Sequence, residues 1–242
     1  MKRVLALARF SAFAAFSVFT APLAAQYSGS SPDEMPRSAI GGLALHYGAP
    51  QGAFATNVDG VFGINGFLGG RLGSSPFVIR ADLGYSIYGS ETYRVPLGSG
   101  PLGLIRVDVN TTNNILVGGL GLQMGHPGRQ VNPYVGGSVG FSYFFTSTSV
   151  SGSQQSSSES FASSTNYSDG TFAKTLFGGL YLPWGPGGSS IDVGLRYHWN
   201  GEAQYLTSRD ITFDGASNPV LHPRHSRADL LTFQVGFALG RR

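Results

Sequence analysis

The stretch FVIRADLGYSIYG, residues 77–89, alternates without interruption. Phe77, Ile79, Ala81, Leu83, Tyr85 and Ile87 fall on one parity; Val78, Arg80, Asp82, Gly84, Ser86 and Tyr88 fall on the other. In an extended strand the two parities are opposite faces of the sheet. One face is therefore bulky and apolar, and the other is small and polar with an Arg–Asp pair. The fold turns on which of them looks inward.

The same two-faced pattern recurs along the chain. In IDVGLRYHWN (191–200), Ile191, Val193, Leu195, Tyr197 and Trp199 oppose Asp192, Gly194, Arg196, His198 and Asn200. In LLTFQVGFALG (230–240), Leu231, Phe233, Val235, Phe237 and Leu239 oppose Thr232, Gln234, Gly236 and Ala238. PYVGGSVGFSYF (133–144) sets Val135, Val139, Phe141 and Tyr143 against Tyr134, Gly136, Ser138, Gly140 and Ser142. Alternation, β-branched and aromatic content and flanking turn residues predict eight strands, near 38–48, 58–72, 76–89, 105–124, 131–146, 171–182, 189–200 and 226–240. The sixth has no clear parity, and the fourth shifts phase near NTTNN (110–114), as a bulge would make it.

The connections alternate in length. GSSP (73–76), GHPGRQ (125–130) and PWGPGG (183–188) read as tight turns; residues 48–57, 90–103, 146–170 and 201–225 read as long loops. Short turns on one rim and long loops on the other are the asymmetry of an up-and-down barrel across a membrane. The serine-rich tract from Thr146 to Gly170 cannot bury much apolar surface, so a mobile exposed loop is expected there.

Residues 1–25 are set apart from the rest. Lys2, Arg3 and Arg9 precede or flank FSAFAAFSVFTA, and small residues follow before Gln26, as in a cleaved secretory signal. The apolar run from Phe10 to Ala21 is 12 residues, short of the roughly 20 that a spanning helix needs. The reading is a signal at 1–25, a short periplasmic segment at 26–37 and one barrel domain over 38–242, with both barrel termini in the periplasm. Without the leader, the 16 basic and 13 acidic side chains become 13 of each, so net charge gives no argument for nucleic acid. Charged residues are 12% of the chain, about half the share usual in soluble domains. The chain has no cysteine, which excludes disulfides and thiolate metal sites.

A soluble sandwich or lipocalin-like barrel would turn the apolar rows inward and leave Arg80 and Asp82 in water. That arrangement leaves a water-facing surface of Gly, Ser and Ala, nearly free of Lys and Glu, which is unusual. Reversed, the apolar rows meet lipid, and small residues with paired charges fill the interior of an eight-stranded barrel, which is just wide enough for side chains. Tyr85, Tyr88, Tyr143, Tyr197 and Trp199 then sit near strand ends as an interfacial girdle. A buried charge must be paired and hydrogen-bonded. The expectation is a cross-lumen network of Arg80, Asp82, Asp192 and Arg196, joined by Arg71 and Gln123.

FVIRADLGYSIYG, NPYVGGSVGFSYF, IDVGLRYHWNG and TFQVGFALG resemble the strands of the small bacterial outer-membrane β-barrel proteins of the OmpA/OmpX/OmpW-like superfamily, over residues 38 to 240. The resemblance implies an all-β, eight-stranded antiparallel transmembrane barrel in the bacterial outer membrane. It also implies insertion by the outer-membrane assembly machinery, which recognises a last strand ending in an aromatic residue. Phe233 and Phe237 keep that pattern, although the chain runs on through Leu239 to Arg242.

Strand patterns specify fold better than activity. The last long loop gathers Glu202, Asp210, Asp214, His222 and His225, with Asp229 just beyond, yet HPRH (222–225) lacks helical metal-ligand spacing and the carboxylates follow no motif. His46 and His198 both point inward near the exterior rim and read as hydrogen-bonded lumen residues. Arg94, Arg106, Arg209, Arg224 and Arg227 lie in or near the exterior loops, and the guanidinium fork suits the phosphates of lipopolysaccharide. The function expected is a non-enzymatic envelope protein with a filled lumen, no cofactor and no metal. Its partners would be membrane lipid and an unidentified extracellular contact. Competing readings are a narrow channel for small or apolar solutes and a lipid- or peptide-hydrolysing barrel enzyme.

Overall fold

The computed structural model describes residues 39–73, 75–96, 106–127, 130–152, 162–184, 188–207, 210–213 and 219–240. The expected signal at 1–25 and the expected periplasmic segment at 26–37 lie outside the described residues. Eight long strands carry the alternating stretches: β1 (Ala39–Pro50), β2 (Val61–Arg71), β3 (Phe77–Pro96), β4 (Arg106–Met124), β5 (Asn132–Gly152), β6 (Ala162–Pro183), β7 (Ser189–Asn200) and, at the end of the chain, β12 (Leu230–Gly240). Each pairs antiparallel with its neighbour in sequence, and β1 pairs with β12 from Ile40 opposite Gly240 to Pro50 opposite Leu230, which closes the barrel. Closure leaves no free sheet edge within the barrel wall, the condition for strands to cross lipid.

The short turns need left-handed backbone, and glycine supplies it: Gly73, Gly125 and Gly188 have φ of 56°, 96° and 86°. Between β7 and β12 the chain folds back on itself as an interrupted hairpin. β8 (Glu202–Tyr205) pairs with β11 (Arg224–Arg227), and farther out β9 (Ile211–Phe213) pairs with β10 (Pro219–Leu221). The eighth barrel strand therefore starts at Leu230, not 226, because Arg224–Arg227 are taken by β8.

The serine-rich tract departs from its expected loop. Residues 146–152 of β5 and 162–170 of β6 are strand, with Thr148 opposite Ser164 and Thr111 opposite Thr148. Residues 153–161 lie outside the described part. Pairing of β5 on β4 and of β6 on β5 satisfies the backbone there, so the tract needs no apolar burial of its own, and threonine is a good strand former. β3 likewise runs past its expected end to Pro96. The predicted irregularity is displaced by one strand: Ile87 faces Asn114 and Gly89 faces Asn113, so the extra residue is Tyr88 on β3, opposite NTTNN. β4 keeps its phase and β3 changes parity.

Candidate functional site: the filled lumen and its exterior cap

Every parity read from the sequence has the same sense. Leu43, Leu68, Leu83, Leu120, Val139, Leu195, Phe233 and Phe237 are exposed on the outer wall. Arg80, Asp192, Arg196, Thr232, Gln234, Asn65, His46 and Ser142 are buried inside. The sixth strand resolves too: Ala173, Thr175, Phe177 and Tyr181 point inward, while Phe172, Lys174, Leu176 and Leu180 point out. Tyr85, Tyr143, Tyr197 and Trp199 sit on the outer wall, whereas Tyr88 is inside, its hydroxyl donating to Leu206 O at 3.1 Å. An apolar belt surrounds a polar interior, with short turns at one rim and long hairpins at the other. The chain is a transmembrane β-barrel of the outer-membrane type.

The barrel's lumen is packed in three layers. Toward the short-turn rim, Ile40, Phe67, Val78, Tyr134, Phe177, Tyr181 and Ala238 form an apolar cluster. Above it lie the charges. Arg80 donates Nε to Asp82 Oδ2 at 3.0 Å and Nη2 to Oδ1 at 2.5 Å, a bidentate fork. Its Nη1 donates to Gln123 Oε1, and Arg196 Nη2 reaches across the lumen to the same Asp82 Oδ1. The Arg80 guanidinium is stacked between rings, 3.9 Å from the centre of Phe67 and 4.4 Å from that of Phe177, so the apolar layer also holds the cation.

Two expected members stand apart. Asp192 accepts from Tyr134 Oη at 2.6 Å and Gln234 Nε2 at 2.8 Å, not from Arg196. Arg71 lies at the first short turn, donating Nε to Ser75 O at 3.2 Å, opposite Val78 and two rungs nearer that rim than Arg80. Shared parity places residues on one face but does not set their depth, which depends on strand stagger. Small residues make the room: a Cβ at Gly179 or Gly194 would strike the Tyr134 hydroxyl. A further row, Gln234–Asn65–His46–Ser86, runs across β12, β2, β1 and β3, and His198 Nδ1 meets Thr175 Oγ1 at 2.9 Å. A cavity of about 30 Å³ lies among these polar groups, with room for ordered water.

The third layer caps the lumen at the hairpin rim. Phe54, from the β1–β2 connection, is fully buried and packs edge-on against Tyr205 at 5.1 Å and Tyr88 at 5.7 Å between ring centres. Phe144, Ile115, Val58, Val61, Ala203, Ala228 and Leu230 complete the cluster. Phe54 and Tyr205 carry no sequence signal for this role, because both lie in segments between the alternating strands. Phe177 is hidden by the lack of a clear parity on its strand, whereas Tyr134 and Gln234 already stand on inward faces in the sequence.

Above the cap, the hairpin is fastened by charge. Asp210 accepts Arg224 Nε at 2.9 Å through both oxygens and also takes Thr207 N at 3.0 Å and Thr207 Oγ1 at 2.7 Å. Burial raises the Asp210 carboxyl, but the bonds from Arg224 and Thr207 outweigh it and hold the group below the usual carboxylate range. Arg227 pairs with Asp229 at 3.2 Å, Asp229 accepts Asn200 N at 3.0 Å, and His225 lies 3.7 Å from Glu202. Asp210, Asp229 and Glu202 thus each have a different partner, Arg224, Arg227 and His225. Among the described residues no three His, Asp or Glu side chains form a metal-binding group. Asp214 and Arg209, and the side chains of Arg94 and Arg106, lie outside the described part.

No family model matches the chain, and no curated protein matches it. Solved structures do. Neisserial surface protein A (NspA) is 11% identical, with 84% of this chain and 96% of that one aligned at a TM-score of 0.41. A major outer membrane protein from Thermus thermophilus is 12% identical over 84% and 99%, at 0.43. Ail, the attachment invasion locus protein of Yersinia pestis, solved in complex with the heparin analogue sucrose octasulfate, is 12% identical over 83% and 95%, at 0.36. These likenesses concern the fold alone.

Proposed function

We propose that the protein is a non-enzymatic barrel of the bacterial outer membrane whose lumen is sealed and whose exterior hairpins serve as a contact surface. A leader through residue 25 would deliver it to the periplasm, and the assembly machinery would insert it. The observation that carries the reading is the bridge of Arg80, Asp82 and Arg196 across the lumen, between two apolar layers. A conduction path needs continuous water, and this interior is occupied by side chains bonded to one another. Asp210 and Asp229 are likewise engaged in holding the shape of the exterior hairpin, which suits a rigid surface more than a proton-transfer site.

The rim arginines already have partners. Arg224 and Arg227 are exposed but joined to Asp210 and Asp229, so a lipopolysaccharide phosphate would have to compete with those carboxylates. Planar-bilayer recording tests the sealed lumen against a channel. The expected trace from the refolded mature chain is flat, without unitary steps. Reproducible openings that persist across preparations would favour the channel and end the sealed reading.

A further inference from the structure

Between its two rims the outer wall of the barrel bears one charged side chain among the described residues. Lys174, on β6, faces outward and is exposed. It is also the only lysine after the leader, in a chain that otherwise uses arginine. A cation on the lipid face is costly at the midplane and nearly without cost near the headgroups, so its depth matters. Lys174 pairs with Trp199 on β7, one step below the last rung of that ladder, Ala173 opposite Asn200. That is the hairpin end of the wall. Its Nζ lies 5.9 Å from the ring centre of Phe172, two residues nearer the exterior. The stem therefore climbs toward the headgroup layer, as lysines do at interfaces.

The surroundings define what could meet this ammonium. Phe172, its cross-strand partner Phe141 and Trp199 frame it. No carboxylate among the described residues forms an ion pair with it. On the side toward the membrane centre, Leu176 and Leu195 are both exposed. A cation above an apolar track, with aromatic rings beside it, matches the outline of a lipid with a phosphate above its acyl chains. Lysine suits this as a compact point charge for a phosphate oxygen.

We propose that Lys174 is a lateral binding site for the phosphate of an outer-leaflet lipid, whose acyl chains lie over Leu176 and Leu195. The proposal rests on the outer-membrane reading above and adds a ligand class and a position to it. The bound anion comes from a lipid, because the site faces the bilayer and not the aqueous rim.

The test is lipid retention. The refolded mature chain is placed in phosphatidylcholine bilayers doped with bis-phosphorylated lipid A, extracted in mild detergent, and the lipid A carried per barrel is measured by native mass spectrometry. Wild type is compared with Lys174→Gln and Lys174→Arg, with dephosphorylated lipid A and with added inorganic phosphate. Retention should fall about fivefold in Lys174→Gln, the weight of one membrane-surface lysine, and recover in Lys174→Arg. Dephosphorylated lipid A should be held weakly and equally by all three, and inorganic phosphate should not displace the lipid. Equal retention of lipid A by wild type and Lys174→Gln overturns the site. Displacement by inorganic phosphate overturns its lipid origin. Heat-modifiable migration separates this from the membrane reading: a wild type that does not shift on boiling refutes the barrel's membrane character, whereas a shifting wild type with equal retention refutes Lys174 alone. If Lys174→Gln does not insert, equal wild-type retention of phosphorylated and dephosphorylated lipid A refutes the proposal by itself.

Discussion

Asp82→Ala should lower the unfolding free energy of the barrel by about 3–5 kcal/mol, the cost of leaving a buried charge unpaired. Asp82 is the only carboxylate that meets Arg80 and Arg196 in the described ion pairs, and all three side chains are buried. Its removal leaves two buried guanidinium groups in the lumen with no carboxylate joining them in the described ion pairs. Gln123 and the rings of Phe67 and Phe177 would remain around Arg80, but none of them carries negative charge. Asp192→Ala should cost less, about 1–3 kcal/mol, because it orphans neutral donors, Tyr134 and Gln234. Urea titration in lipid vesicles, followed by heat-modifiable migration, gives both values. A smaller loss for Asp82→Ala than for Asp192→Ala would mean that the cross-lumen ion pairs do not organise the interior.

The second large effect belongs to the cap. Phe54→Ala should cost about 3–5 kcal/mol, as truncation of a fully buried aromatic ring usually does. The ring fills the centre of a cluster to which Tyr88, Phe144 and Tyr205 each turn an edge or a face, and the 3-10 turn that carries it, Phe54–Thr56, is short and has no side-chain cap. Conductance should nevertheless stay at zero in this variant, because the charged layer below still spans the lumen. Opening of a pore on loss of Phe54 alone would relocate the seal from the ionic layer to the cap.

These two predictions divide along the line between what alternation reveals and what it does not. The outward and inward faces of β3, β5, β7 and β12 are readable because a period of two survives in the sequence wherever one face is bulky and apolar and the other mostly small or polar. Arg80, Asp82, Gln123 and Arg196 come together for that reason. β6 is opaque because its inward face carries Phe177 and Tyr181 and its outward face carries Lys174, so polarity no longer marks direction. Depth is opaque too: Asp192 and Arg196 share a strand face, yet stagger brings Asp192 to Tyr134 and Gln234 instead. The hydroxyl-rich upper parts of β5 and β6 look like loop because their stability comes from backbone pairing of β5 to β4 and of β6 to β5, with no local signature. Phe54 and Tyr205 act through tertiary position alone.

All of this depends on orientation, and the natural absence of cysteine makes orientation directly measurable. Nitroxide labels placed one at a time along β12, with the barrel in bilayers, report contact with lipid through broadening by oxygen and contact with water through a nickel chelate. Labels at 231, 233, 235 and 237 should be broadened strongly by oxygen and little by nickel. Labels at 232, 234 and 236 should be shielded from both reagents wherever the labelled chain still inserts. Strong oxygen contact at the even positions, or nickel contact at the odd ones, would contradict the account.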